Sequence, residues 1–297
     1  MQCSRCHRDE IFFQPYSGLH LCSQHLFADV EAKAKKMIRA KGWLKAGDQI
    51  AVFLSGNQNS SALLYFLKKL TAERCDIRIS AITVSEGIDA YSNNSHAKRI
   101  AERLDTDLLE VSLTEEFRIG TDTITGKKQD ISSQPMFPTA HSILLDRIAQ
   151  QHGITKIAWA LCLDDAAGVV LECVIRGDGE KLVRSRSGQD GLLRICPFIV
   201  VTAAELSLYA DLCGCGDEPT PRTEPGDGLH KDTIAMLNGY TNNHPATKYA
   251  LLNLGENLSG FPREIANLIH ACEWYGEYQR GCSNDGSIQS EVKNGAT

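Results

Sequence analysis

The stretch QIAVFLSGNQNSSALLYFL, residues 49–67, decides the fold. Its first six residues form an apolar run carrying Val52 and Phe53, as a strand buried on both faces of a parallel sheet requires. Residues 55–60 are small and polar, and Leu63, Leu64 and Leu67 then recur at helical spacing. Strand, tight turn and helix start can cradle phosphate, because backbone N–H groups point into the turn and the helix dipole favours an anion there. The same residues also suit an ordinary βα turn, so this stretch alone leaves both readings open.

Outward from this unit the pattern repeats. Strands are predicted at 49–54, 77–84, 107–111 and 156–160, and helices at 61–70, 95–104, 141–151 and 165–175. Such alternation builds βαβ units, and hence a doubly wound α/β parallel sheet with helices on both faces. Ligands of these sheets bind beyond the carboxyl ends of the strands. Three segments fall there: 55–60, 85–92 and 161–165.

The chain has 297 residues, room for one large domain or two smaller ones, and 42% hydrophobic content supports a sizeable core. No run approaches the roughly 18 apolar residues of a membrane span. The opening MQCSRCHRDE has no apolar signal core, so a cytoplasmic protein with no membrane partner is expected. Lys and Arg number 31 against 37 Asp and Glu, a net charge of −6, so any nucleic-acid contact must come from a local patch. Eleven cysteines is high for a cytosolic chain, and their grouping at the N-terminus favours metal over disulfides.

That group is Cys3, Cys6, Cys22 and His25, in the pattern C-x2-C-x15-C-x2-H. Each close pair can sit on one turn, and four N/S ligands complete a tetrahedral structural zinc site with no open position. His7 is the one competing ligand nearby. A helix over 23–40 follows, with Lys33, Lys35, Lys36 and Arg39, then Lys41 and Lys45. Lys35, Lys36 and Arg39 read either as a solvated face or as an RNA-backbone contact. Further on, Lys181, Arg184 and Arg186 lie close together in a Gly/Ser-rich stretch that reads either as a surface loop or as an RNA-facing loop flanking the pocket, and CGCGDEPTPRTEPGDG, 213–228, reads as a linker or flap. HKDTIAML and HPATKYALLNL read as two short C-terminal helices, ahead of a small, polar tail.

A zinc knuckle, a basic helix and a strand–SGxxxS–helix unit resemble the PP-loop tRNA thiolases, the TtuA-like two-thiouridine synthetases. Other pieces fall in that family's order. EGIDAYSNNS, 86–95, is similar to its E-G-I-x-x-Y-x-x-x-S segment. GITKIAWALCLDDAA, 153–167, is similar to the strand ending in G-H-N-L-D-D-x-A. RICPF, 194–198, with Glu205 and Tyr209, resembles R-x-K-P-F…E-x-x-x-Y. The likeness covers residues 3–260. It implies a PP-loop (HUP-like) fold with tRNA as partner and ATP with magnesium as cosubstrate. ATP would adenylate a uridine oxygen, and sulfur would displace AMP. The nucleotide-binding positions it implies are Ser55, Gly56, Ser60, Gly87, Ile88, Asp164 and Asp165.

The departures are equally informative. The family loop S-G-G-x-D-S reads SGNQNS here, so Asn57 replaces a glycine that permits close approach of phosphate and Asn59 replaces an aspartate. Ala160, Leu161 and Cys162 stand where the family has Gly-His-Asn, with Trp159 just before them. The family's C-x-x-C falls on Gln134 and Phe137, and no thiol occupies 222–225, where its third cysteine belongs. Cys213 and Cys215 lie nearby as a C-x-C. Of the C-terminal zinc knuckles only Cys272 and Cys282 remain, too few to close a tetrahedral site.

The resulting expectations are a zinc knuckle (1–27), a basic linker helix (28–47), an α/β domain (48–212), a flap with C-terminal helices (213–280) and a tail (281–297). Structural zinc and no iron–sulfur cluster are expected. In function, the substitutions favour a non-catalytic, RNA-binding member of the family that pairs with an active thiolase or with a second copy of itself. The alternative is an active ATP-dependent tRNA sulfurtransferase, or another adenylating enzyme, with a rearranged site.

Overall fold

The computed structural model describes residues 1–85, 91–112, 139–178, 192–216 and 228–259. It opens on an antiparallel hairpin of β1 (Phe12–Gln14) and β2 (Leu19–Leu21), followed by α1 (Ser23–Lys41). Next come β3 (Gln49–Phe53), α2 (Gln58–Leu70), β4 (Arg78–Ser85), α3 (Tyr91–Arg103) and β5 (Leu108–Ser112). After these are α4 (Thr139–Gln151), β6 (Lys156–Ala158), α5 (Leu163–Arg176), β7 (Leu193–Ile195) and α6 (Ala203–Leu212). Two further helices, α7 (Gly228–Thr241) and α8 (Thr247–Ser259), close the described chain.

Strands β3 to β7 form one five-stranded sheet in the order β5-β4-β3-β6-β7, every pairing parallel. The α/β parallel sheet read from the alternating pattern is therefore present, with its zinc-knuckle hairpin at the N-terminus and α-helices at the C-terminal end. Strand order reverses between β3 and β6, which places the ligand crevice of such sheets outside the carboxyl ends of these two strands. Sequence alone did not reveal β7, a three-residue edge strand in which Arg194 interrupts the apolar pattern.

The central strand shows why the sheet must be covered on both sides. Ile50 and Val52 pack with α2 residues Leu63, Phe66 and Leu67, whereas Ala51 packs with Leu144, Leu145 and Ile148 of α4. Alternate side chains thus enter opposite cores, as the two-residue strand period dictates. Helix α1 joins the first core through Leu26, Val30, Ala34 and Ile38, one per turn, and ends at Gly42 in the left-handed conformation.

A buried polar clasp fastens the hairpin and α1 to the sheet domain. The fully buried Glu205 of α6 accepts hydrogen bonds from Gln14 at 2.6 Å, from Lys33 at 2.8 Å and from the Tyr16 hydroxyl. Its other oxygen accepts from the Thr202 N–H at 3.0 Å, closing the capping box of α6. Tyr209, one turn on, donates to Glu31 at 3.3 Å. Glu205 and Tyr209, read from sequence as part of a family segment, therefore tie the knuckle down. A buried charge is tolerated here because every acceptor oxygen is engaged and a lysine lies opposite.

Gly87, Ile88, Gln134, Phe137, Cys272 and Cys282 lie outside the described residues, as do 179–191, 217–227 and 260–297. Among the described residues no helix is long and apolar enough to cross a membrane.

Candidate functional site

Cys3, Cys6, Cys22 and His25 converge at the N-terminal pole, their ligand atoms all within 4.8 Å of one another. The first pair sits on a turn in which Cys6 N–H bonds the Cys3 carbonyl at 3.3 Å and Arg5 N–H points at the Cys3 sulfur at 3.5 Å. The β1–β2 hairpin carries the chain back, with Ser4 N–H bonded to the His20 carbonyl at 2.7 Å. Cys22 then caps α1, and His25 lies in its first turn. Cys3 and Cys22 sulfurs lie 3.3 Å from His25 Nδ1, and Cys6 lies 3.7 Å from Cys22. Zn–S and Zn–N bonds arranged tetrahedrally give edges of about 3.8 Å and about 3.5 Å, so the ligand set fits a zinc knuckle. Burial opposes ionisation of Cys3, but backbone donors of Arg5, Cys22 and Cys6 and the His25 ring lower its thiol to about 6. A ligand must be a thiolate, so this environment prepares the site for a cation.

The turn between β3 and α2 lies at the sheet's switch point. Gly56 takes the left-handed conformation that glycine favours, and Asn57 is the N-cap of α2. Asn57 Oδ1 accepts from the Ser60 N–H at 2.9 Å, while the Ser60 and Ser61 hydroxyls donate to the Asn57 carbonyl at 2.8 and 3.3 Å. One backbone donor that a phosphate oxygen would use is thus taken by the loop's own side chain. Ser55 is exposed, whereas Asn59 and Ser60 are buried. Below the turn Ser61 meets His96 Nε2 at 3.1 Å, and Arg99 meets His96 Nδ1 at 3.0 Å.

Across the crevice, Trp159 follows β6 and its ring packs on Phe53 at 4.5 Å between centroids. Asp165 accepts from the Cys162 N–H at 2.9 Å and caps α5. Asp164 accepts from the Ala203 N–H at 2.8 Å at the start of α6 and pairs with Lys248 of α8. Both aspartates therefore hold helix starts together. Ser55, Gly56 and Ser60 lie on the β3–α2 side of the crevice, and Asp164 and Asp165 on the β6–α5 side.

The basic helix divides into two kinds of cation. Lys33 pairs with Asp29 and Glu205, and Lys35 with Glu31 at 3.0 Å, a carboxylate also met by Lys69 at 2.7 Å. Lys41 pairs with Glu256 of α8 at 3.4 Å. Lys36 and Arg39 are exposed on the same helix. Sequence reasoning saw one basic run. The partners that dismantle half of it include residues 172 and 215 positions away, beyond any local pattern.

Cys213 and Cys215 follow α6. Burial pushes the Cys213 thiol up to about 12, so it is protonated at neutral pH and a poor nucleophile. Cys215 is buried, and Arg103 donates to its sulfur at 3.1 Å.

No family model matches the chain. The tRNA 2-thiolation protein NcsA of Haloferax volcanii is 25% identical over 279 residues, covering 87% of this chain and 87% of that protein. The cytoplasmic tRNA 2-thiolation protein 1 of Danio rerio is 29% identical over 224 residues, 71% of this chain and 64% of that protein. Among solved structures, the U34-tRNA thiolase NcsA from Methanococcus maripaludis, with its 4Fe–4S cluster, superposes with a TM-score of 0.78 at 22% identity and covers 88% of each chain. That cluster overturns the expectation that no iron–sulfur cluster belongs here. The expectation rested on counting thiols at three inherited positions. A cluster needs ligands from any segment, and Cys3, Cys6 and Cys22 already bring three thiols to one point.

Proposed function

We propose that this chain, which belongs to the NcsA/TtuA-type tRNA 2-thiolation proteins, serves that modification by holding tRNA and pairing with an active thiolase. On this reading it does not transfer sulfur itself. The observation that carries it is the capped loop: Asn57 engages the Ser60 N–H that pyrophosphate would need. Three further features support it. Asp164 and Asp165 are committed to helix starts and Lys248. The Phe53–Trp159 ring pair closes the core at the carboxyl ends of β3 and β6. Cys213 is held as a thiol, so the C-x-C is a weak substitute for the missing C-x-x-C. ATP with magnesium would then bind feebly at Ser55, Gly56 and Ser60. Lys36 and Arg39, with Lys35 behind them, would meet the tRNA backbone.

The test is a thiolation assay on the purified full chain with tRNA, ATP, magnesium and a sulfide source, read by mass spectrometry of nucleosides. Retained tRNA binding without thiouridine supports the reading, and thiouridine made by this chain alone refutes it. One observation favours the active alternative: a thiolase of the same fold holds a 4Fe–4S cluster. In that case Cys3, Cys6, Cys22 and His25 would carry iron and sulfide, which analysis of anaerobically purified protein decides.

A further inference from the structure

The most exposed aromatic ring among the described residues is Tyr240, 56% accessible, near the end of α7. The helix explains its position. Thr233 and Leu237 face inward and are buried, so Met236 and Tyr240, one turn apart, face solvent; Met236 is 53% accessible. The ring is not loose. Asn243 and His244 N–H groups both donate to the Tyr240 carbonyl, at 3.3 and 3.2 Å, and the Thr247 N–H donates to the His244 carbonyl at 3.0 Å. This turn lays the His244 imidazole on the phenol, centroids 4.5 Å apart and planes 28° from parallel. Asn242 and Asn243, both exposed, stand at the rim with amide donors and acceptors.

We propose that the Tyr240–His244 stack, edged by Met236, is a platform on which one unpaired base of a bound tRNA lies. The inference rests on the tRNA-holding function proposed above. Size selects the occupant. One ring and one methionine fall far short of the roughly 800 Å² per partner that a stable protein interface buries, whereas one aromatic face matches one base. Chemistry agrees, since stacking tolerates any base and the neighbouring amides reach base edges. The preformed turn reduces the ordering that binding would otherwise demand.

The test uses the full chain and a fluorescent tRNA transcript across a salt series, comparing the native protein with Tyr240→Ala and Tyr240→Trp. Tyr240→Ala is expected to weaken binding roughly 5- to 150-fold, the range of one lost base–aromatic stack. The slope of log affinity against log salt should stay the same, because no phosphate contact is lost. Tyr240→Trp should bind at least as tightly as the native chain. The ring is mostly exposed, so both variants should keep the native melting temperature. Native-like binding by Tyr240→Ala overturns the platform while leaving the tRNA reading intact. So does a loss accompanied by a changed salt slope or a changed oligomeric state, the latter marking a protein interface. A native chain that binds no tRNA at any salt overturns both.

Discussion

Asn57→Gly is expected to tighten binding of magnesium ATP while leaving stability almost unchanged. In the native loop Asn57 Oδ1 lies 2.9 Å from the Ser60 nitrogen. A phosphate oxygen that takes this donor must first displace the amide. One neutral hydrogen bond contributes about 0.5–1.5 kcal/mol net, which converts to about 2- to 13-fold in affinity at 25 °C. Glycine is only a few tenths of a kcal/mol worse than asparagine as an N-cap, so the melting temperature should barely move. Asn57→Asp supplies the opposite perturbation. It keeps the acceptor and adds a charge that favours the helix dipole by roughly 0.3–1 kcal/mol but repels phosphate. Titration calorimetry and thermal melts on the three proteins separate the two effects. If the glycine variant binds no tighter than the native chain, or the aspartate variant binds as well as the glycine one, the loop's own cap is not what holds nucleotide away.

Metal analysis should give about one zinc per chain, and Cys22→Ser should release it while the sheet domain stays folded; full retention without both Cys3 and Cys22 removes this assignment. Charge reversal of Lys35, Lys36 and Arg39 together should abolish tRNA binding, with each lost phosphate contact lowering the salt slope by about 0.9. Most of that loss should come from Lys36 and Arg39, and unchanged binding would leave the helix a solvated face. Acid stability follows from Asp29, Glu31 and Asp48. Burial raises each carboxyl, but Lys33 and Gln14, Lys69 and Lys35, and Lys156 respectively prevail and hold them below the usual carboxylate range. A folded value below the unfolded one gives stability that is full above the unfolded value, about 4, and is lost as pH falls through the folded values. Urea midpoints from pH 7 to pH 3 should show this, with a shallower fall in Glu31→Gln; a protein that grows more stable below pH 4 contradicts it.

Much of the fold was legible because the chain writes its periods clearly. The predicted strand at 49–54 and helix at 165–175 match β3 and α5 to within two residues. The hairpin was not legible, because three-residue strands such as FFQ and LHL carry too little pattern. The convergence of Cys3, Cys6, Cys22 and His25 was legible through spacing alone, since a turn and a first helical turn fix where each pair points. The turn between β3 and α2 was half legible. Asn57 could be seen to replace a glycine, but its second role as a helix cap needs the backbone in place, even though asparagine is among the favoured N-cap residues. Asp164 and Asp165 show the same limit from the other side. Acidic residues at a helix start serve caps and ligands equally well; Asp165 takes the Cys162 N–H three residues back, whereas for Asp164 only Ala203 and Lys248, both remote in sequence, reveal which.

The clasp at Glu205 has a consequence for biosynthesis. Gln14 and Glu205 are 191 residues apart, a stretch that takes about 10–40 s to translate at roughly 5–20 residues per second. Throughout that interval Gln14, Tyr16 and Lys33 wait for their acceptor, and the apolar stripe of α1 waits for Tyr209. The four converging side chains Cys3, Cys6, Cys22 and His25, by contrast, all lie within the first 25 residues. If zinc occupies this cluster, a newborn N-terminus is stapled almost at once and persists as a small closed module beside a nascent chain until α6 emerges to receive it.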